Sequence, residues 1–219
     1  MTTTVNDAAY LRAAEKVIAG CLRLQRAGLV TGTAGNISVR LGDGRIAISP
    51  GRTPYEALTP QDISLVAADG TLLGGRPASS ETGLHLRIYE KTGYAAVVHT
   101  HSPLATAVGT VADELPAVHY AIHRLGDAIP VAPYATFGSA ELAENVASRI
   151  DEHTKAVLMR NHGVAVAGTT LMEALVGAET VEWLAQLYWN ACQLGRPGIL
   201  DAAQLAAVRA QVVRLNYSG

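Results

Sequence analysis

Residues 95–103 read AAVVHTHSP and place His99 and His101 one residue apart at the end of an apolar run. On a strand, side chains at i and i+2 share a face, so both imidazoles can reach one ion; on a helix they would stand about 200° apart. The pair can therefore bind metal only from a strand. A catalytic zinc takes about three protein ligands and keeps one position open. His162, which ends the apolar run KAVLMRN just before Gly163, is the natural third ligand. His85, His119, His123 and His153 compete for that place. His85 falls within a helix after Glu81 and reads as a packed histidine or one that supports a ligand. His119 and His123 could pair if HYAIH were helical, but Pro116 and Gly126 leave that segment undefined. His153 follows Asp151 and Glu152 in a solvated turn. The spacing of two histidines is by itself a weak motif.

Three other segments, TGTAGNISVR, AISPGRTPYEAL and RPASSETG, bring small residues and hydroxyls to the ends of elements. An oxyanion such as phosphate requires that combination: backbone N–H groups, hydroxyl donors and a helix N-terminus. Each segment alone also reads as an ordinary turn or cap.

The elements that must position these residues follow from periodicity. Leu11, Ala14, Ile18 and Leu22 recur at helical spacing between Asp7, a candidate N-cap, and Gly28. NISVRL and RIAIS flank Gly42-Asp43-Gly44, and ISLVA and TLLGG flank Ala68-Asp69-Gly70, which predicts two hairpins. A short helix is expected over ETGLHLRIYEKTG, with a serine N-cap and a stop at Gly93. AAVVHTH is a strand, and Ser102-Pro103 opens a helix to about Gly109. IPVAPY, the helix SAELAENVASRI, and the strands KAVLMRNHG and VAVAG come next, then helices from Leu171 to Gln193 and from Leu205 to Leu215. Hairpins mixed with helical crossovers favour a mixed or antiparallel sheet flanked by helices over a parallel doubly wound one.

With 219 residues, 49% of them hydrophobic, the chain can build one substantial core, and no linker or repeat divides it. Seventeen Lys and Arg against 19 Asp and Glu give a net charge of -2, with no general attraction for nucleic acid or anionic membranes. Two cysteines fit buried thiols in a reducing compartment. There is no signal-peptide pattern and no apolar stretch of about 18 residues, so a soluble cytoplasmic protein is expected.

The ordered set TGTAGNIS, ISPGRTPYEAL, SSE, VVHTH, LPAVHY, APYATFG and NHG resembles the class II aldolase/adducin family over nearly the whole chain, most closely its L-fuculose-phosphate aldolase branch. The resemblance implies a single α/β domain spanning residues 1–219, with a central, largely antiparallel sheet between helix layers. It also implies a homotetramer with active sites at subunit interfaces. The implied reaction is metal-dependent cleavage of a ketose 1-phosphate, such as L-fuculose 1-phosphate, to dihydroxyacetone phosphate and a short aldehyde. His99, His101 and His162 match the ligands of Zn2+, which Mn2+ or Co2+ could replace. Glu81 matches the acid/base at or beside the fourth metal position, and Tyr120 the proton donor to the aldehyde oxygen in a neighbouring subunit's site. Gly35, Asn36, Gly51, Ser79 and Ser80 match phosphate-binding positions, Phe137 an apolar wall, and Tyr217 a C-terminal tyrosine that helps close the pocket.

The chain departs from many relatives at one loop, where a hydroxyl residue and then glycine are replaced by Gly51 and Arg52; the hydroxyl is lost, and a guanidinium stands in its place. On the same scaffold, the resemblance also allows methylthioribulose- or 5-deoxyribulose-phosphate aldolases, 4-epimerases, dehydratases and decarboxylases. Epimerases typically read SSD where this chain reads SSE, and decarboxylases tend to place lysine at the position of Ser80. A non-catalytic adducin-like binding module is the alternative outside the enzymes, and it would need none of Glu81, His99, His101 and His162.

Overall fold

Asp7 accepts a hydrogen bond from the Ala9 amide and opens helix α1 (Ala8–Arg26), whose buried stripe runs through Tyr10, Ala14, Val17, Cys21 and Leu24. The chain is seen here in a computed structural model that describes residues 7–216. After α1 come two hairpins. Strands β1 (Asn36–Arg40) and β2 (Ile46–Ile48) form the first, and β3 (Ser64–Val66) and β4 (Leu72–Gly74) the second. Gly44 and Gly70 take positive φ in their turns, as the hairpin reading requires.

Helix α2 (Thr82–Lys91) leads into β5 (Ala96–Thr100) and α3 (Pro103–Val111). A two-residue strand β6 (Glu114–Leu115), absent from the sequence reading, pairs with β7 (Ile129–Ala132). Helix α4 (Ala140–Ala147), strands β8 (Ala156–Met159) and β9 (Gly163–Gly168), and helices α5 (Leu171–Leu194) and α6 (Ala202–Arg214) complete the mixed α/β domain. Among the described residues, nine strands lie in the order β4-β3-β2-β1-β5-β9-β8-β7-β6, antiparallel throughout except for the parallel pair β7 and β8.

Alternation along each strand feeds two apolar clusters, one per face. Ile37, Ala96, Val98, Val164 and Val166 pack with α1, α3 and α5 on one side. Val97, Val157, Ala165 and Ala167 pack with α2 and α4 on the other. His99 follows Val97 by two residues, so it falls on the α2/α4 face, and Asn36 lies directly opposite it across the β1–β5 ladder. Among the described residues, no helix is long and apolar enough to cross a membrane.

Several helix boundaries differ from the sequence reading. Helix α2 begins at Thr82 with Glu81 in the cap position and no side-chain cap; the Ser79 hydroxyl instead accepts the Glu81 amide at 3.2 Å, which closes a turn before the helix starts. It ends at Lys91, short of Gly93, where the extended Thr92 returns its hydroxyl to the Ile88 carbonyl. Helix α6 starts at Ala202 because Asp201 and Gln204 cap each other reciprocally.

The contact of β9 with β5 is tightest at Gly163, where a β-carbon would stand 2.2 Å from the Thr100 carbonyl oxygen and 3.2 Å from the His99 ring. Gly163→Ala therefore has to push the two central strands apart at their site end. We expect a loss of about 1–3 kcal/mol, seen as an unfolding midpoint several degrees lower in a thermal melt.

Candidate metal centre

The rim of the central sheet is where the singled-out histidines meet. His99 is the penultimate residue of β5, and its Nδ1 lies 2.9 Å from the Val164 carbonyl of β9. A carbonyl only accepts, so Nδ1 carries the proton and the lone pair of Nε2 is left for the site. His101 lies just past the strand on the same side, its Nε2 3.0 Å from that of His99. His162 sits in the three-residue bend between β8 and β9, where Asn161 takes a left-handed backbone (φ 55°). The three rings form a nearly equilateral triangle, with centroids 4.9, 5.0 and 5.0 Å apart.

Glu81 closes this triangle from α2. Its Oε2 is 3.0 Å from His99 Nε2, and its Oε1 is 3.2 Å from His162 Nε2. One ligand atom from each of Glu81, His99, His101 and His162 falls within 4.8 Å of every other. Tetrahedral ligation of zinc by imidazole sets the nitrogens roughly 3.3 Å apart, so the cluster is near binding dimensions. Oε1 of Glu81 is buried without a hydrogen-bond partner, and a buried carboxylate oxygen of this kind fits a cation. The donor set of three nitrogens and one oxygen suits zinc and neighbouring divalent ions.

Burial by itself would raise the pKa of Glu81. Its contacts with His99, then His162 and the hydrogen bond from the Asn36 amide, outweigh it and hold the carboxyl well below its ordinary range. Burial, with the neighbouring His99 and His162, pushes His101 down to about 4, and burial and His99 lower His162 as well. Both rings are therefore neutral near pH 7, the form that binds metal.

A cleft of about 840 Å³ opens above the cluster, lined by Glu81, His101 and His162 together with Gly35, Asn36, Gly51, Arg52, Ser79, Ser80 and Phe137. The three small-residue segments, tens of residues apart in sequence, thus converge on one surface. Gly35 passes so close to β5 that a β-carbon would meet the His99 carbonyl at 2.8 Å, and its φ is +79°. Asn36 is turned inward: its amide nitrogen is 3.1 Å from Glu81 Oε2 and 3.2 Å from Ser79 Oγ.

Phe137 and Tyr134 are mostly exposed within the cleft lining. Tyr120 does not line it; it starts a 3-10 helix (Tyr120–Arg124) with its ring against His119 and half its surface exposed. Tyr217 lies outside the described residues. Thr33, Arg76, Tyr134 and Asn161 also line the cleft and were not singled out from sequence, although each sits inside or beside a segment that was. Arg76 is paired with Asp62 at 2.6 Å. Of the competing histidines, His85 is wholly buried against Asn36, and His153 faces Asp127 in an exposed pair.

With this geometry in place, three comparisons agree. The family described as Class II Aldolase and Adducin N-terminal domain matches residues 15–189. The L-fuculose phosphate aldolase of Escherichia coli (strain K12) is 41% identical over 198 residues, covering 89% of this chain and 91% of its own length. The 5-methylthioribulose-1-phosphate/5-deoxyribulose-1-phosphate aldolase of Rhodospirillum rubrum is 40% identical over 183 residues, 83% of this chain and 82% of its own. Among solved structures, an L-fuculose 1-phosphate aldolase superposes with a TM-score of 0.88 at 30% identity, covering 94% of this chain and 97% of that one.

His162→Ala should reduce bound metal, measured by mass spectrometry of the dialysed protein, from about one ion per chain to a small fraction of that, since about three ligands hold such an ion. Full occupancy in the variant would exclude His162 as a ligand.

Stability should also respond to pH through His85, which burial, assisted by His99, pushes down to about 3. An unfolded histidine titrates near its ordinary 6.5, so between 6.5 and 3 the unfolded chain takes up a proton that the folded chain does not. The contribution of the neutral ring is complete above 6.5 and is lost as pH falls. Denaturant titrations should show about 2 kcal/mol less stability from this group at pH 5 than at pH 7, a loss absent from a folded His85→Gln variant.

Proposed function

The chain belongs to the class II aldolase and adducin family, and from that premise we propose that this aldehyde-lyase splits a ketose 1-phosphate into dihydroxyacetone phosphate and a short aldehyde. L-Fuculose 1-phosphate is the first substrate to test. One observation carries the reading: a cluster of four side chains that could hold a metal ion and the small-residue, hydroxyl-bearing loops meet at the same cleft. A metal site alone would suit many hydrolases, and an anion cradle alone many phosphate binders. Together they suit the cleavage of a phosphorylated sugar beside its carbonyl. The names of both curated relatives carry a phosphorylated sugar.

His99, His101 and His162 would hold the ion, which we take to be Zn2+ with Mn2+ or Co2+ as alternatives, and Glu81 stands at the fourth side. When bound, the ion supplies Lewis-acid stabilisation of the negative charge that develops on the substrate's carbonyl oxygen. The chain's own residues do the rest. Ser79 and Ser80, the backbone of Gly35 and Gly51, and the guanidinium of Arg52 take the phosphate and fix the register of the sugar along the cleft. Asn36 contributes through Glu81, since its amide already faces that carboxylate.

Cleavage begins when the hydroxyl on the far side of the breaking bond gives up its proton. The electron pair of its O–H bond becomes the carbonyl of the departing aldehyde, and the pair of the broken C–C bond stays with the phosphate-bearing fragment. We assign the first proton to Tyr120. Its exposure outside the cleft of its own chain supports a homotetramer in which one copy's Tyr120 reaches the neighbouring site. Glu81 then relays a proton from water to the carbon that kept the pair, and Tyr120 releases the first proton to water, so that none is gained or lost. Phe137 offers an apolar surface at the rim for the aldehyde end, and Tyr217 is assigned to the same wall.

A panel of ketose 1-phosphates assayed for dihydroxyacetone phosphate release tests the reading, with L-fuculose 1-phosphate and 5-deoxyribulose 1-phosphate as the first members. Glu81→Gln should keep its fold and most of its metal while losing about 100-fold or more in turnover. Wild-type turnover in that variant would remove Glu81 from the proton step, and metal-loaded wild-type protein inert on the whole panel would overturn the aldolase reading.

A further inference from the structure

Behind Glu81, helix α2 and strand β1 bring two polar stripes together. His85 and Tyr89 lie four residues apart along the helix that Glu81 precedes, and Asn36, Ser38 and Arg40 recur every two along the strand, so each set shares a face. Across the contact, His85 Nε2 lies 2.5 Å from Asn36 Oδ1, His85 Nδ1 2.7 Å from Ser38 Oγ, and Ser38 Oγ 2.7 Å from the Tyr89 hydroxyl. Arg40 closes the far end, its guanidinium 5.0 Å from the centre of the Tyr89 ring and bonded to the Tyr89 carbonyl at 3.1 Å. His85, Ser38, Asn36 and Tyr89 are all buried.

The direction of every bond in this row is fixed by chemistry. A carboxylate only accepts, so the end of Asn36 that faces Glu81 Oε2 and Ser79 Oγ is its NH2 group. Its oxygen therefore faces His85 Nε2, which must carry a proton. A neutral imidazole has one N–H, so Nδ1 is an acceptor and Ser38 donates to it. Having spent its only proton, Ser38 must accept from Tyr89.

We propose that Tyr89, Ser38, His85 and Asn36 form a one-way hydrogen-bond chain that keeps the Asn36 amide turned toward Glu81, making His85 a positioning residue for the carboxylate that carries the proton. The inference rests on the role given to Glu81 above. Without a donor at Nε2, the buried Asn36 carbonyl oxygen would lose its partner, and the carboxamide would shift toward another donor and loosen its hold on Glu81. Apolar side chains would fill the same space at no cost in hydrogen bonding, so a purely structural need does not ask for this arrangement.

The tautomer is read directly from the ring-nitrogen NMR signals of His85 in zinc-loaded, 15N-histidine-labelled wild-type protein, assigned by their absence from His85→Gln. We expect the Nε2–H form; an Nδ1–H form overturns the chain whatever the variants do. In kinetics, His85→Leu should lower kcat by about 10- to 100-fold with KM and metal content nearly unchanged. His85→Gln, whose amide can donate to Asn36 and accept from Ser38, should recover most of that loss. A structural role alone would instead lower stability and metal content together, with no recovery of kcat by glutamine.

The Glu81→Gln background separates the two readings. If His85 acts through Glu81, then His85→Leu costs little more once Glu81 is gone. An equal loss in both backgrounds overturns the positioning role and leaves Glu81 in place, whereas wild-type turnover in Glu81→Gln alone overturns the assignment of Glu81 itself.

Discussion

A carboxylate buried at the sheet rim is the constraint around which this structure is arranged. Taking the Glu81 charge out of water costs several kcal/mol unless opposing charge and hydrogen bonds compensate. Here the compensating groups come from three directions at once: Asn36, from the strand beside His99, donates to the carboxylate, while His99 from the central strand and His162 from the β8–β9 bend could hold a cation against it. None of these elements is close in sequence to Glu81. The site therefore exists only when β1, β5 and β9 are in register, and the antiparallel pairing of Asn36 with His99 and of Thr100 with Val164 is part of the chemistry as much as of the fold.

The same constraint explains the lack of a side-chain cap at the start of α2. A serine at the cap would spend its hydroxyl on the helix and bring Glu81 inside the first turn, where the side chain follows the helix surface. With Glu81 itself in the cap position, its carboxylate makes no helix-capping bond and turns into the cleft, while Ser79 closes the preceding turn. The helix gives up about 1 kcal/mol of capping stability in this way. Packing of Leu84 and Ile88 in the apolar cluster beneath the helix offsets that loss.

Much of the site was legible because strand periodicity is short-ranged. His99 and His101 share a face as soon as AAVVHTH is read as a strand, and Asn161-His162-Gly163 marks a bend by residue type alone. Tyr120 and Phe137 came from family resemblance and not from periodicity; the fold places Phe137 in the cleft lining and Tyr120 outside it. The inward turn of Asn36 was not legible. Beside Gly35 in TGTAGN it reads as a loop donor for an anion, and only the approach of α2, set by residues 45 positions away, shows its amide committed to Glu81. The row from His85 to Tyr89 was hidden for the same reason. Each stripe has its own period, 4 on the helix and 2 on the strand, and neither is informative until tertiary packing brings the two faces together.

Arg52 occupies a loop whose backbone path suits glycine better. Its backbone is left-handed, with φ at 58°, a conformation that costs a residue with a β-carbon about 1–2 kcal/mol and glycine almost nothing. The loop thus keeps a glycine-like path although an arginine occupies it. The strain is localised, since Tyr55 three residues on is buried and anchors the segment by donating its hydroxyl to the Ala34 and Gly35 carbonyls at 2.9 Å each. That tie joins the Arg52 loop to the Gly35 loop at the edge of the cleft. Gly51 and Arg52 both line the cleft. The cleft then carries two kinds of donor: imidazoles and a carboxylate suited to a cation, and hydroxyls, backbone N–H groups and an arginine suited to an anion. A phosphorylated sugar with a carbonyl to polarise is a ligand class that would use both.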